Sequence, residues 1–172
     1  MNQLIILHHL QQDKGKKEKM KPEYMDAAIQ EAFDGIHSNH GGPFGCVIVK
    51  NGKIIGRGHN RVLIDHDPTA HGEVTAIRDA GRNLGTHDLS GCEMYTTGEP
   101  CPMCLAATMW ANIGKVYYGC TIEENSIIGF RDAEMDEIVG DRKKTGDMLE
   151  QLGHDKCVDL FHEYNEMNAQ RY

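Results

Sequence analysis

From Pro22 onward, apolar side chains recur at Met25, Ala28, Ile29, Ala32, Phe33 and Ile36, the three-and-four spacing that lays one stripe along a helix. Proline suits the first helical position, where an amide has no intrahelical acceptor, and Asn39-His40-Gly41-Gly42-Pro43 ends the run. The pattern then turns continuously apolar. Cys46-Val47-Ile48-Val49 reads as a strand, Asn51-Gly52 as a two-residue hairpin turn and Ile54-Ile55-Gly56 as the returning strand. Past a loop through Asp65 and Asp67, the pattern predicts a helix over about 70–82, a strand over 93–96, a helix over 102–111 and a strand over 116–119. The rest reads as helix and loop, closing on a moderately amphipathic segment around Val158, Phe161 and Tyr164. A hairpin followed by alternating helices and strands predicts an α/β fold, a three-layer α/β/α sandwich on a mixed sheet of four or five strands with one antiparallel edge.

Length and charge narrow the picture. At 172 residues the chain reads as one domain that can bury a core without disulfides. Residues 1–19 stand apart as a flexible leader, and 20–172 form the expected single domain. Five lysines and two acids through Lys21 give a local +3; the overall charge of −8 therefore leaves −11 on the remainder. That acidity argues against a nucleic-acid partner, which calls for a basic footprint. Leu4-Ile5-Ile6-Leu7 is too short for a signal-peptide core, and no stretch approaches the roughly 20 apolar residues of a membrane span. The expected location is therefore cytoplasmic, with thiols kept reduced.

Six cysteines and ten histidines are many for this length, and some of them are spaced for chemistry. His71-Gly72-Glu73 opens the second long helix, and Pro100-Cys101-Pro102-Met103-Cys104 opens the third. Cys101 and Cys104, three apart, would share one helix face, and a helix N-terminus favours the thiolate form. His71 and Glu73 point about 200° apart on a helix, so they converge only if the helix aims its end at the site. Asp67, Pro68 and Thr69 offer the cap and rigid start for that. His71, Cys101 and Cys104 would then supply three zinc ligands and leave the fourth position to water, the arrangement of a catalytic site. Zinc lowers the pKa of bound water from about 15.7 to about 7, roughly 12 kcal/mol of easier deprotonation, making zinc hydroxide the expected nucleophile. Glu73 would shuttle its proton to a ring nitrogen and then to a leaving amine. A lone C-x-x-C also occurs as a redox pair or half a structural zinc site, so a closed structural zinc remains the alternative.

The combination H-x-E…P-C-x-x-C is the signature of zinc nucleobase deaminases. With Gly42-Pro43-Phe44-Gly45, Asn60, Asp67-Pro68-Thr69-Ala70-His71, Glu73-Val74-Thr75-Ala76-Ile77-Arg78 and Gly129-Phe130-Arg131-Asp132, the chain resembles the cytidine-deaminase-like superfamily and, within it, the bacterial guanine deaminases. The resemblance covers about residues 20–132 well and the tail loosely. It implies one zinc ion per chain and hydrolysis of guanine to xanthine and ammonia. It also implies a base stacked on Phe44 and hydrogen-bonded by Asn60 and Asp132, with Tyr172 closing over the pocket. A homodimer with exchanged C-terminal segments is implied as well, so that Asp132 and Tyr172 would serve different chains' sites. Three rivals stand beside this reading: tRNA adenosine deamination, which the −11 of the domain disfavours; another small amino-heterocycle such as cytosine, a nucleoside or a triazine; and a non-catalytic zinc module, which has no use for Glu73.

Several residues depart from the pattern of these enzymes. Gly72 stands where alanine is usual and should loosen its helix by about 1 kcal/mol. Gly98 replaces a bulkier residue, and Arg131 brings a cation into a stretch that is often more acidic. Cys46, Cys92 and Cys120 are expected to pack as small buried hydrophobes. His40 and His59 are placed at the pocket mouth, and the remaining histidines on the surface or in loops.

Overall fold

In the computed structural model, residues 21–140 are described throughout; beyond them, positions 152, 154, 156, 158, 160, 161 and 167 are described individually. Tyr172 and the 1–19 leader lie outside the described residues. The chain divides into two compact units, residues 1–135 and 136–172. Of the second unit, His154, Lys156, Val158, Leu160 and Phe161 are helical.

The first unit follows the order α1 (Pro22–His37), β1 (Gly45–Lys50), β2 (Lys53–His59), α2 (Val62–Asp65), α3 (Gly72–Leu84), β3 (Cys92–Gly98), α4 (Pro102–Trp110), β4 (Lys115–Cys120) and α5 (Ile122–Ile127). A further helix, α6, spans Asp132–Gly140. The strands form one four-stranded sheet in the order β2-β1-β3-β4. Asn51-Gly52 turns β1 into β2, with Lys50 opposite Lys53. A second antiparallel pairing joins β1 to β3, and only β3 and β4 run parallel. The expected single antiparallel edge is thus two antiparallel pairings. The α3 crossover returns the chain to the far side of β1, a rearrangement that periodicity does not encode.

The unbroken apolar run of β1 is explained by its central position. Cys46 and Ile48 face a core shared with Ala76 and Ala80 of α3, Met94, Ala111 and Ile113. Val47 and Val49 face the opposite core, with Tyr24 and Ala28 of α1 and Tyr95. A strand covered on both faces has no polar alternation to show. These two cores make the three layers expected. The loop expected through Asp65 instead contains the short helix α2, fastened by Arg61 donating twice to Asp65 at 2.8 Å.

Strand β2 lies at the edge of the sheet, and two of its backbone groups are taken by side chains of α3. Asp79 of α3 accepts from the Arg57 amide at 3.0 Å, and Asn83 donates to the Ile55 carbonyl at 2.9 Å. Ile55 falls at the bulge where the β1–β2 register shifts.

Candidate active site

The helices α3 and α4 begin alike. His71 is the N-cap of α3 and Cys101 the N-cap of α4, both with extended backbone, φ/ψ −69/159° and −62/167°. An N-cap side chain ordinarily folds back onto the first free amides of its helix. Here neither does, and the two side chains meet instead, with Cys101 Sγ 3.6 Å from His71 Nδ1. Cys104, in the first turn of α4 and fully buried, brings its Sγ to 3.5 Å from the same nitrogen. The expected shared helix face is therefore not how the cysteines converge: Cys101 precedes the helix, and its extended backbone supplies the reach. Asp67 likewise does not cap α3. Its carboxylate accepts from the amide and hydroxyl of Thr69 at 2.8 and 2.6 Å, stiffening the turn that delivers His71.

The donor set fits zinc. Bonds of about 2.3 Å to sulfur and 2.0–2.1 Å to nitrogen give a tetrahedral sulfur–nitrogen edge of about 3.6 Å. The observed separations of 3.6 and 3.5 Å match that edge. Among the described residues, His71, Cys101 and Cys104 form the one group of ligand atoms so gathered, all within 4.8 Å of one another. The hydrogen bond between the two thiols pulls Cys101 down to about 4, aided by His71, and pushes Cys104 up. His71 is raised, chiefly by its hydrogen bond to Cys101. A ready thiolate beside an imidazole is what a divalent ion displaces protons to bind.

Glu73, in the first turn of α3, is only 5% exposed and accepts a hydrogen bond from Cys104 at 3.4 Å. Burial pushes its carboxyl above the usual carboxylate range. Because His71 precedes the helix, the 200° separation never applies, and both side chains reach the same point. Gly72 between them carries the adjustment. A Cβ there would stand 2.8 Å from the Phe44 carbonyl oxygen, so the missing side chain lets α3 start directly against the backbone leading into β1.

That contact brings the remaining predicted residues alongside. The Phe44 carbonyl also accepts from the Asn60 amide at 2.8 Å, and Arg61 donates from its amide to Ala70 at 2.8 Å, one residue before His71. The Phe44 ring is half-buried and meets Phe130 edge-on, centroids 4.7 Å apart. Thr97 fixes the backbone on either side, accepting from the Gly45 amide and donating to the Pro43 carbonyl. Asn60 is buried, its side-chain oxygen accepting from Val62 at 3.2 Å. Asp132 accepts from Asn125 at 3.3 Å; burial first, and then the charge of Cys101, raise its carboxyl. Asn125 and Thr97 were not singled out from the sequence, and Phe130 stood there only within the Gly129–Asp132 motif, without a role. The Thr121-to-Glu124 capping box, present in the structure, is the sequence signal nearest to Asn125. Gly98 is explained too: a Cβ there would crowd the Phe44 ring at 3.1 Å and the Asn125 amide at 3.2 Å.

Residues 18–120 match the family model of the cytidine and deoxycytidylate deaminase zinc-binding region. The chain belongs to this zinc deaminase family. Within the family it is 46% identical over 110 residues to guanine deaminase of Bacillus subtilis, covering 64% of this chain and 70% of that one. The solved structure of guanine deaminase from Bacillus subtilis superposes with a TM-score of 0.83 at 36% identity, over 90% of this chain and 99% of that one. Guanine deaminase from Nitrosomonas europaea gives 0.62 at 29% identity, over 72% and 71%. A tRNA:A34 deaminase studied for A-to-I editing at the wobble position gives 0.57 at 39% identity, over 59% and 72%.

Of the other cysteines, Cys46 and Cys92 are buried as expected. Cys120 is exposed, because β4 ends the sheet and its last residues leave the core. No helix among the described residues is long and apolar enough to cross a membrane.

Proposed function

We propose that the chain hydrolyses guanine to xanthine and ammonia, with His71, Cys101 and Cys104 holding a zinc ion and Glu73 moving the protons. The observation that carries the substrate is the extent of likeness. The guanine deaminase of Bacillus subtilis matches 90% of this chain, whereas the tRNA:A34 deaminase matches 59%. What zinc supplies when bound is Lewis-acid activation of water. Glu73, its proton affinity raised by burial, takes one proton from the attacking water and gives it to the ring nitrogen, then takes the second from the new hydroxyl and gives it to the departing amine. Phe44 offers a face on which the base stacks, Asn60 a donor and acceptor for the ring, and Asp132 an acceptor for the purine's N–H edge. The buried ligands and the aromatic pair Phe44–Phe130 keep bulk water from the reacting carbon.

The working form in this reading is a homodimer with exchanged C-terminal segments, in the cytoplasm, with Tyr172 closing the site. The outer side of α4 supports a partner surface, since Leu105 and Met109 there are 49% and 69% exposed. Ammonia release from guanine, adenine, cytosine, guanosine and tRNA tests the substrate. Guanine alone should be turned over; clear turnover of another compound without guanine overturns the assignment.

A further inference from the structure

The two residues proposed to hold the base, Phe44 and Asn60, sit on different segments: the connection from α1 to β1, and the turn from β2 to α2. Each segment carries a histidine next to its working part, and the two imidazoles face each other. His40 Nδ1 lies 2.8 Å from His59 Nε2, with the ring centroids 5.1 Å apart and the planes 21° from parallel, so the rings meet edge to edge. At that distance one nitrogen must carry a hydrogen and the other must not, so the contact is a hydrogen bond. The bond is built into the surrounding structure from both sides. Glu31 of α1 approaches His59 Nδ1 at 3.5 Å while also accepting from Arg57 at 3.2 Å. On the other side, Arg61 approaches His40 Nδ1 at 3.5 Å and is itself held by Asp65. The His59 ring fills the space left by Gly35, where a Cβ would stand 2.8 Å from the ring. The backbone of His40 completes the join, its carbonyl accepting from Leu63 at 3.0 Å and from Ile64 at 3.2 Å.

We propose that the His40–His59 hydrogen bond is a clasp that holds the Phe44 segment against the Asn60 segment. It thereby sets the affinity for the base without touching it. This makes the two histidines positioning residues, and the proposal rests on the reading of Phe44 and Asn60 as base contacts. Neither histidine reaches the metal-ligand cluster, so the clasp acts on binding and leaves the proton transfers alone.

The test uses the zinc-loaded, full-length protein. His40→Phe keeps an aromatic ring but removes the hydrogen bond. It should raise the guanine KM about three- to tenfold, the worth of one hydrogen bond. kcat and zinc content should stay at the parent values, and amide exchange over residues 38–44 and 59–62 should quicken. His59→Gln with His40 intact, which can still donate or accept, should keep most of the parent affinity. If His40→Phe does not fold, His40→Ala carries the same test. An unchanged KM in His40→Phe beside a raised KM in Phe44→Ala and Asn60→Ala removes the clasp and keeps the base contacts. An unchanged KM in Phe44→Ala and Asn60→Ala removes the base contacts, and the clasp's role in affinity with them. A raised KM with kcat and zinc content falling beside it would mark the pair as merely structural, and that also overturns the proposal.

Discussion

The site has two halves, built by different means. The metal half hangs on the starts of two helices that lie against the sheet, and Cys101, Cys104 and Glu73 are all at most 7% exposed. The proposed base half is assembled from connecting segments: Phe44 and Asp132 are half-buried, Thr97 bonds the backbone on either side of Phe44, and Asn125 donates to Asp132. Rigid helix ends suit a cluster that must hold a fixed tetrahedral geometry, whereas loops let the recognised base change while the chemistry stays. This division fits a family in which one zinc motif serves guanine deaminases and a tRNA:A34 deaminase alike.

The comparison breaks most sharply at Cys104. Replacing it with alanine should release zinc and reduce turnover to the limit of detection, with metal analysis and ammonia release as readouts. If Cys104→Ala keeps both zinc and activity, the metal half is wrongly drawn. Glu73→Gln separates binding of the ion from use of it: zinc stays, and kcat falls by about 10²–10⁴. In the metal-free protein the same change has a pH signature. Burial raises the Glu73 carboxyl, so ionising it in the folded state is unfavourable, and the native protein loses stability as pH climbs from the ordinary carboxylate range through the raised value. Denaturant melts should therefore show Glu73→Gln more stable than the parent above that window and equal to it below. A gain that persists in acid would remove burial as the cause.

On the base side, Phe44→Ala should raise the guanine KM by about five- to a hundredfold, the range of base–aromatic stacking, while zinc content holds. A loss of zinc in that variant would mean the halves are not separable. Gly72→Ala tests their junction. In an open helix the exchange would stabilise by about 1 kcal/mol. Against the Phe44 carbonyl it should instead cost about 1–3 kcal/mol, as crowding of a packed interior does. A more stable variant would return Gly72 to the loosening role that its sequence alone predicts.

The two halves also differ in how far the sequence foretells them. Residue spacing named His71, Glu73, Cys101 and Cys104, because metal chemistry restricts the residue types and helix starts leave local signals. Even so, the reason they converge was hidden: nothing in the spacing says that His71 and Cys101 stand outside their helices. The strands and long helices were legible within a few residues, since β1 is apolar without interruption and α1 has a clear stripe. The direction of β3 relative to β1 was not, because pairing direction depends on where a connection crosses the sheet. Thr97 and Asn125 gave no warning, and Phe130 was visible only as part of a motif, because what they do depends on contacts that residue spacing does not show. Gly72 and Gly98 looked like defects for the same reason; each makes room for the residue at position 44.

The side chains of Asp79 and Asn83 have one more consequence. By occupying the amide of Arg57 and the carbonyl of Ile55, they take two of the groups that an incoming strand would need on the β2 side. The opposite edge of the sheet is Lys115–Cys120 of β4, where no such obstruction by α3 applies. An edge obstructed in this way is less open to edge-to-edge pairing with another copy.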